Sequence, residues 1–137
     1  MHLIIDGWSK NEDLLVNILS LKLWLRKAAE VANMTPFGEP TVVDFPFPHK
    51  EGTALSAVQF LGESGIVVHT FPSETQEREG FAYIDIFSCL PFDASKVLSF
   101  ILNSFNIEVY AFYVLERGID GMGFPHLPKL LKYGRNE

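Results

Sequence analysis

Apolar positions in this chain recur with two different periods, and the changes of period mark its elements. His2 to Asp6 is a short apolar run closed by Gly7, which predicts a strand. Asn11 then offers an N-cap, with Glu12 and Asp13 in the first turn, where the helix dipole favours acids. Leu14, Ile18, Leu21, Leu25, Ala28 and Ala32 follow at helical spacing and predict one long helix reaching about Asn33. Leu15, Leu19, Leu23 and Trp24 widen its apolar stripe, so the helix should be heavily buried. Pro36, Gly38 and Pro40 make the next stretch a connection. Thr41 to Phe45 reads as a strand, and Pro46, Pro48 and Gly52 mark a loop. Leu55 to Leu61 and Ile66 to Phe71 are two apolar runs joined by Gly62-Glu63-Ser64-Gly65, the pattern of a β-hairpin. After a polar stretch from Pro72 to Glu79, strand chemistry resumes from Phe81 to Cys89. Asp93 caps a second helix from Ala94 to about Phe105, and a last strand runs from about Ile107 to Leu115. The tail from Glu116 onward, rich in Gly and Pro, is expected to be ordered only where it packs.

Hairpin-linked strands dominate this order, so the expected class is α+β: a two-layer sandwich of a mainly antiparallel sheet with two helices on one face. The strands are apolar on both faces while the helices suffice for one. A second copy should therefore cover the other face, pairing two chains into an αββα homodimer.

Length, charge and cysteine usage narrow the function. The 137 residues suit a single domain, 1–137, with no linker or repeat. Eleven Lys and Arg against 17 Asp and Glu give a net charge of −6. Such a chain lacks the basic surface that nucleic acid demands but accommodates a cationic or zwitterionic small molecule. No apolar run approaches the roughly 20 residues that span a bilayer, and the first residues carry no signal-peptide pattern, so a cytoplasmic protein without a membrane partner is expected. Cys89 is the one cysteine, which excludes an internal disulfide and a cysteine-based metal site. It is a small buried hydrophobe or a reactive group.

The common motifs are absent: no Gly-x-Gly-x-x-Gly, no phosphate-binding Gly-Lys-Thr, no Gly-x-Ser-x-Gly, no His-Glu-x-x-His. What stands out is Glu63-Ser64, with His69-Thr70-Phe71-Pro72 placing a histidine five residues after the serine, and then Asp85-Ile86-Phe87-Ser88-Cys89. Ser56 lies eight residues before Ser64. Taken singly these are ordinary residues: a turn serine, a satisfied histidine, a buried strand cysteine. Taken at these spacings, they resemble the prokaryotic S-adenosylmethionine decarboxylases, proenzymes that cut themselves to make a pyruvoyl group. His2-Leu3, Asp6 and Glu116-Arg117-Gly118 extend the resemblance to about Gly118.

The resemblance implies a function in polyamine (spermidine) synthesis and a role for each residue. The Ser64 hydroxyl attacks the Glu63 carbonyl, turning an amide into a weaker ester, and cleavage gives fragments 1–63 and 64–137. His69, whose side-chain type titrates nearest neutrality, is the base that removes the α-proton of residue 64. Ser56 hydrogen-bonds the intermediate. The pyruvoyl carbonyl left by Ser64 forms a Schiff base with the substrate amine and takes up electrons as carbon dioxide leaves, and Cys89 returns the proton. A substrate carrying a sulfonium and an adenine would be met by aromatic faces, with Trp8, Phe45 and Phe47 as candidates if they are not simply core. The alternatives are a basic amino acid such as arginine or ornithine, for which Asp6 and Glu116 would matter more, and an unprocessed, non-catalytic homologue. Three features depart from the family pattern: Gly65 follows Ser64 and should loosen the turn, Leu90 follows Cys89, and the loop from Ser73 to Glu79 is long.

Overall fold

The computed structural model describes residues 1–46, 53–73, 79–119 and 123–136. Phe47 lies outside the described residues, as does the side chain of Phe45. In chain order the elements are β1 (His2–Ser9), α1 (Glu12–Val16), α2 (Ile18–Val31), β2 (Thr41–Pro46), β3 (Thr53–Phe60), β4 (Ser64–Phe71), β5 (Gly80–Ser88), α3 (Ala94–Ser104), β6 (Ile107–Ile119) and β7 (Pro125–Asn136). The strands form one seven-stranded sheet in the order β2-β3-β4-β5-β1-β6-β7, and every pairing is antiparallel. The α+β class and the one-sided helices follow the expectation; two elements do not.

The first correction is the long helix, which is two helices broken at Asn17. Asn17 takes an extended backbone (φ −98°, ψ 111°) and its side chain accepts from the Ser20 N–H, capping α2. Asparagine competes well for that position because its short amide replaces the missing helical partner. The break strands carbonyls at the end of α1, and the buried Thr70 hydroxyl donates to one of them, Leu15 O, at 2.7 Å. Thr70 Oγ1 in turn accepts from the Leu55 N–H at 3.0 Å, so Thr70 pins α1 to the middle of the sheet. Gly80 lets α1 lie that close, since a Cβ there would stand 2.6 Å from Phe71 O and against Leu15. The second correction is the tail, where Pro125–Asn136 pairs with β6 as a seventh strand. Its Pro125 and Pro128 disguise it as a loop, but proline is tolerated on an edge strand.

Strand alternation divides the sheet into two unlike faces. Leu3 and Ile5, Ala57, Ile66 and Val68, Ile84 and Ile86, and Phe112 and Val114 face the helices and are buried with Leu15, Leu21, Leu25, Val97 and Ile101. Trp24 ties α2 to α3 by donating to Ser104 Oγ at 2.7 Å and stacking on Phe100. The opposite face carries Trp8, Val43, Val67, Tyr83, Tyr113 and Tyr133, all exposed in the single chain.

Candidate active site

The hairpin between β3 and β4 turns at Gly62 and Glu63, and Ser64 begins β4. The turn is closed by the Leu61 N–H donating to Ser64 O at 3.0 Å. From just beyond the end of β5, the Cys89 N–H donates to Glu63 O at 3.1 Å. That carbonyl belongs to the Glu63–Ser64 peptide bond, so a main-chain donor already points at the oxygen that would gain charge if a nucleophile attacked the carbon. Cys89 stands one residue beyond β5, and its side chain is an exposed thiol. Gly65 is not part of a loosened turn. It lies in β4 opposite Phe60 and Phe87, and a Cβ there would meet only Gln59 O, at an ordinary 3.5 Å.

Ser56 and His69 stand directly opposite each other in β3 and β4, with Ser56 Oγ and His69 Nδ1 2.7 Å apart. Burial pushes the His69 pKa below its usual 6.5. The imidazole is therefore neutral at pH 7 and able to accept a proton. Its ring packs on Phe71, 4.7 Å between centroids, and stacks with Tyr83 at 6.4 Å.

The structure does not bring His69 to Ser64 within one chain. Five residues along a strand is about 16 Å, and an odd spacing puts the two side chains on opposite faces. Ser64 shares parity with buried Ile66, Val68 and Thr70, and His69 with exposed Val67. One chain thus presents two separate groups: Glu63, Ser64 and Cys89 at the end of the hairpin, and Ser56 with His69 in the middle of the helix-free face.

Beside His69 lies an aromatic and acidic cluster that strand parity could have exposed in the sequence. Phe71, Phe81 and Tyr83 join Trp8 through edge contacts: Trp8 to Phe81 at 4.8 Å, Phe81 to Tyr83 at 5.2 Å and Phe71 to Tyr83 at 5.3 Å. Asp6 pairs with Tyr83 across the sheet, and its pKa is raised, first by burial and then by the charge of Asp85. Asp85 takes a hydrogen bond from His2 Nε2 at 2.8 Å, and Arg117 donates to His2 Nδ1 at 3.2 Å while covering the Phe87 ring. Because arginine can only donate, His2 is held there as the Nε2–H tautomer. Glu116 does not join Asp6. It is in register with Lys129 of β7 and, like Cys89 and Arg117, acts electrostatically on the α-amine of Met1, whose pKa is lowered chiefly by burial. Among the described residues no three His, Cys, Asp or Glu side chains group as metal ligands, and no helix is long and apolar enough to cross a membrane.

The fold is thus a two-layer α+β domain with a Glu-Ser peptide bond at a hairpin end, whose carbonyl accepts a main-chain hydrogen bond. The sequence profile of the S-adenosylmethionine decarboxylase family matches residues 1–118. The chain belongs to that family, whose members are pyruvoyl-dependent carboxy-lyases. Among similar proteins are the S-adenosylmethionine decarboxylase proenzymes of Thermodesulfovibrio yellowstonii, 28% identical over 119 residues (86% of this chain, 80% of that protein), and Archaeoglobus fulgidus, 28% identical over 120 residues (85% and 96%). That of Clostridium botulinum is 31% identical over 101 residues (73% and 78%). The fold resembles the crystal structure of the adenosylmethionine decarboxylase from Aquifex aeolicus, with a TM-score of 0.65 and 23% identity, covering 91% of this chain and 95% of that one.

Proposed function

We propose that this chain is a proenzyme that cuts itself between Glu63 and Ser64 and then decarboxylates S-adenosylmethionine for polyamine synthesis, with two copies completing each site. The observation that carries the reading is the Cys89 N–H on the Glu63 carbonyl. In the first step Ser64 Oγ bonds to the Glu63 carbonyl carbon, the Glu63–Ser64 C–N bond breaks, and the hydroxyl proton ends on the Ser64 nitrogen. The Cys89 N–H stabilises the oxyanion between. A base then removes the Ser64 α-proton, the Cβ–O bond breaks and Glu63 leaves as a carboxylate. Water hydrolyses the resulting dehydroalanine, through its imine tautomer, to a pyruvoyl group and ammonia.

The pyruvoyl group supplies the electron sink for loss of carbon dioxide. Ser64 suits its formation because it heads the strand that would carry the new N-terminus. The Cys89 thiol, at the same end, is the proton donor to the substrate carbon, and a cytoplasmic, reducing setting keeps it a thiol. The Ser56–His69 pair supplies the base. When Nδ1–H donates to Ser56 Oγ, the Nε2 lone pair is the one that takes the proton. His69 is too far from its own Ser64, so the partner's His69 does this work, and stacking of the helix-free faces makes the homodimer. The aromatic cluster of Trp8, Phe71, Phe81 and Tyr83 beside Asp6 suits a flat, cationic substrate better than a simple basic amino acid.

Co-expression of Ser64→Ala and His69→Ala chains tests the arrangement. If the base comes from the partner, the His69→Ala chain is cut in mixed dimers although it is not cut alone. If neither chain is cut in the mixture while wild type is, the base acts within one chain. Carbon dioxide release from S-adenosylmethionine, ornithine and arginine in parallel settles the substrate.

A further inference from the structure

We infer that the connection after α2, residues 35–38, is a strap that positions the Glu63 carbonyl for attack, with the Glu63 side chain as its handle. This rests on the reading of the chain as a self-cutting proenzyme. The connection leaves α2 through Asn33 in the left-handed conformation (φ 55°), with the Met34 N–H returning to Ala29 O at 2.9 Å. That exit delivers the chain to the hairpin end. The Thr35 N–H donates to Glu63 Oε2 at 3.1 Å, and Thr35 O accepts from the Gly62 N–H at 2.9 Å. Pro36 bridges to Leu61, and the Phe37 N–H donates to Phe60 O at 2.8 Å.

The far end of the strap is held by Gln59, which is fully buried in β3. Its Nε2 donates to Gly38 O at 3.2 Å and to Phe60 O at 2.8 Å, while its Oε1 has no partner among the described residues. A leucine would bury more cheaply there, so the carbonyls that Gln59 holds account for a glutamine at this place. Glu63 is thus gripped on three sides: its side chain by Thr35, its carbonyl by Cys89, and the preceding amide by Thr35 O. A peptide so held cannot swing its carbonyl away from the serine beside it, and misplacement by about 1 Å can cost a hundredfold in rate.

The handle is a partly exposed side chain, so removing it leaves the core untouched. Purified Glu63→Ala should cut itself about ten- to a hundredfold more slowly than wild type. Its melting temperature should be unchanged, and Glu63→Gln, whose amide oxygen also accepts from Thr35, should recover most of the rate. Hydroxylamine, which splits esters, should not rescue Glu63→Ala, because the strap serves the step that makes the ester. Cleavage of Glu63→Ala at the wild-type rate, rescue by hydroxylamine, or a Glu63→Gln as slow as Glu63→Ala would each overturn the inference. A wild-type chain that never cuts itself would overturn the proenzyme reading instead.

Discussion

The hairpin end and the middle of the helix-free face hold their candidate reacting groups by different means. At the hairpin end the main chain dominates: the Leu61, Gly62 and Cys89 amides fix the Glu63–Ser64 peptide, and the proposed chemistry needs particular side chains only at Ser64, Cys89 and the Glu63 handle. On the helix-free face the backbone only sets the register, and the Ser56–His69 pair and the aromatic cluster define the environment. The first region should therefore fail when an amide or the nucleophile is removed, and the second when a proton is added or a ring is lost.

The largest effect is expected at Ser64. Ser64→Ala removes the hydroxyl proposed to attack Glu63, so the chain should stay at 15.5 kDa indefinitely by intact mass, with an unchanged circular dichroism spectrum. Cys89 allows the main chain to be separated from the side chain. Cys89→Pro deletes the N–H on Glu63 O and should slow cleavage by about a hundredfold. Cys89→Ala keeps that N–H and should cleave, yet lose decarboxylation or misplace the proton on the product. If both variants cleave equally, the main-chain donor is not what activates the carbonyl.

The pH profile probes the other region. Burial lowers the His69 pKa, so the folded chain holds that proton less tightly than an unfolded one. The neutral base then persists at pH 6.5 and is lost only below it. The cleavage rate should be level above that pH and fall on acidification, as followed by fragment appearance on gels. The same shift makes its contribution to stability decline as pH drops below 6.5, where the unfolded chain takes up the proton first. A rate that already falls at pH 7 would show that a group other than His69 is the base. The smallest effect is expected from Gly65→Ser, because Gly65 is ordinary strand with room for a Cβ. Its cleavage rate should stay within about threefold of wild type.

Alternation of apolar residues from Leu55 to Phe71 and from Phe81 to Cys89 was enough to place the central hairpin and its neighbour, since each side chain's face follows from counting by two. The same counting separates Ser64 from His69, because their spacing of five is odd, yet the linear closeness of the two residues suggests a single site. The partnership of Ser56 with His69 required the register of β3 against β4, which turn length decides and composition does not.

What the sequence by itself determined is local: strand faces, caps at Asn11 and Asp93, and the hairpin turn before Ser64, all set by neighbours within a few residues. What only the tertiary structure decided depends on distant partners. The helix breaks at Asn17 where Thr70 can take the stranded carbonyl of Leu15. The proline-bearing tail becomes a strand because β6 offers an open edge. The Glu63 carbonyl accepts a hydrogen bond because β5 ends beside it and brings the Cys89 amide within 3.1 Å. A hydrogen bond between residues far apart in sequence leaves no periodic trace, because its free energy depends on the chain having already brought donor and acceptor together.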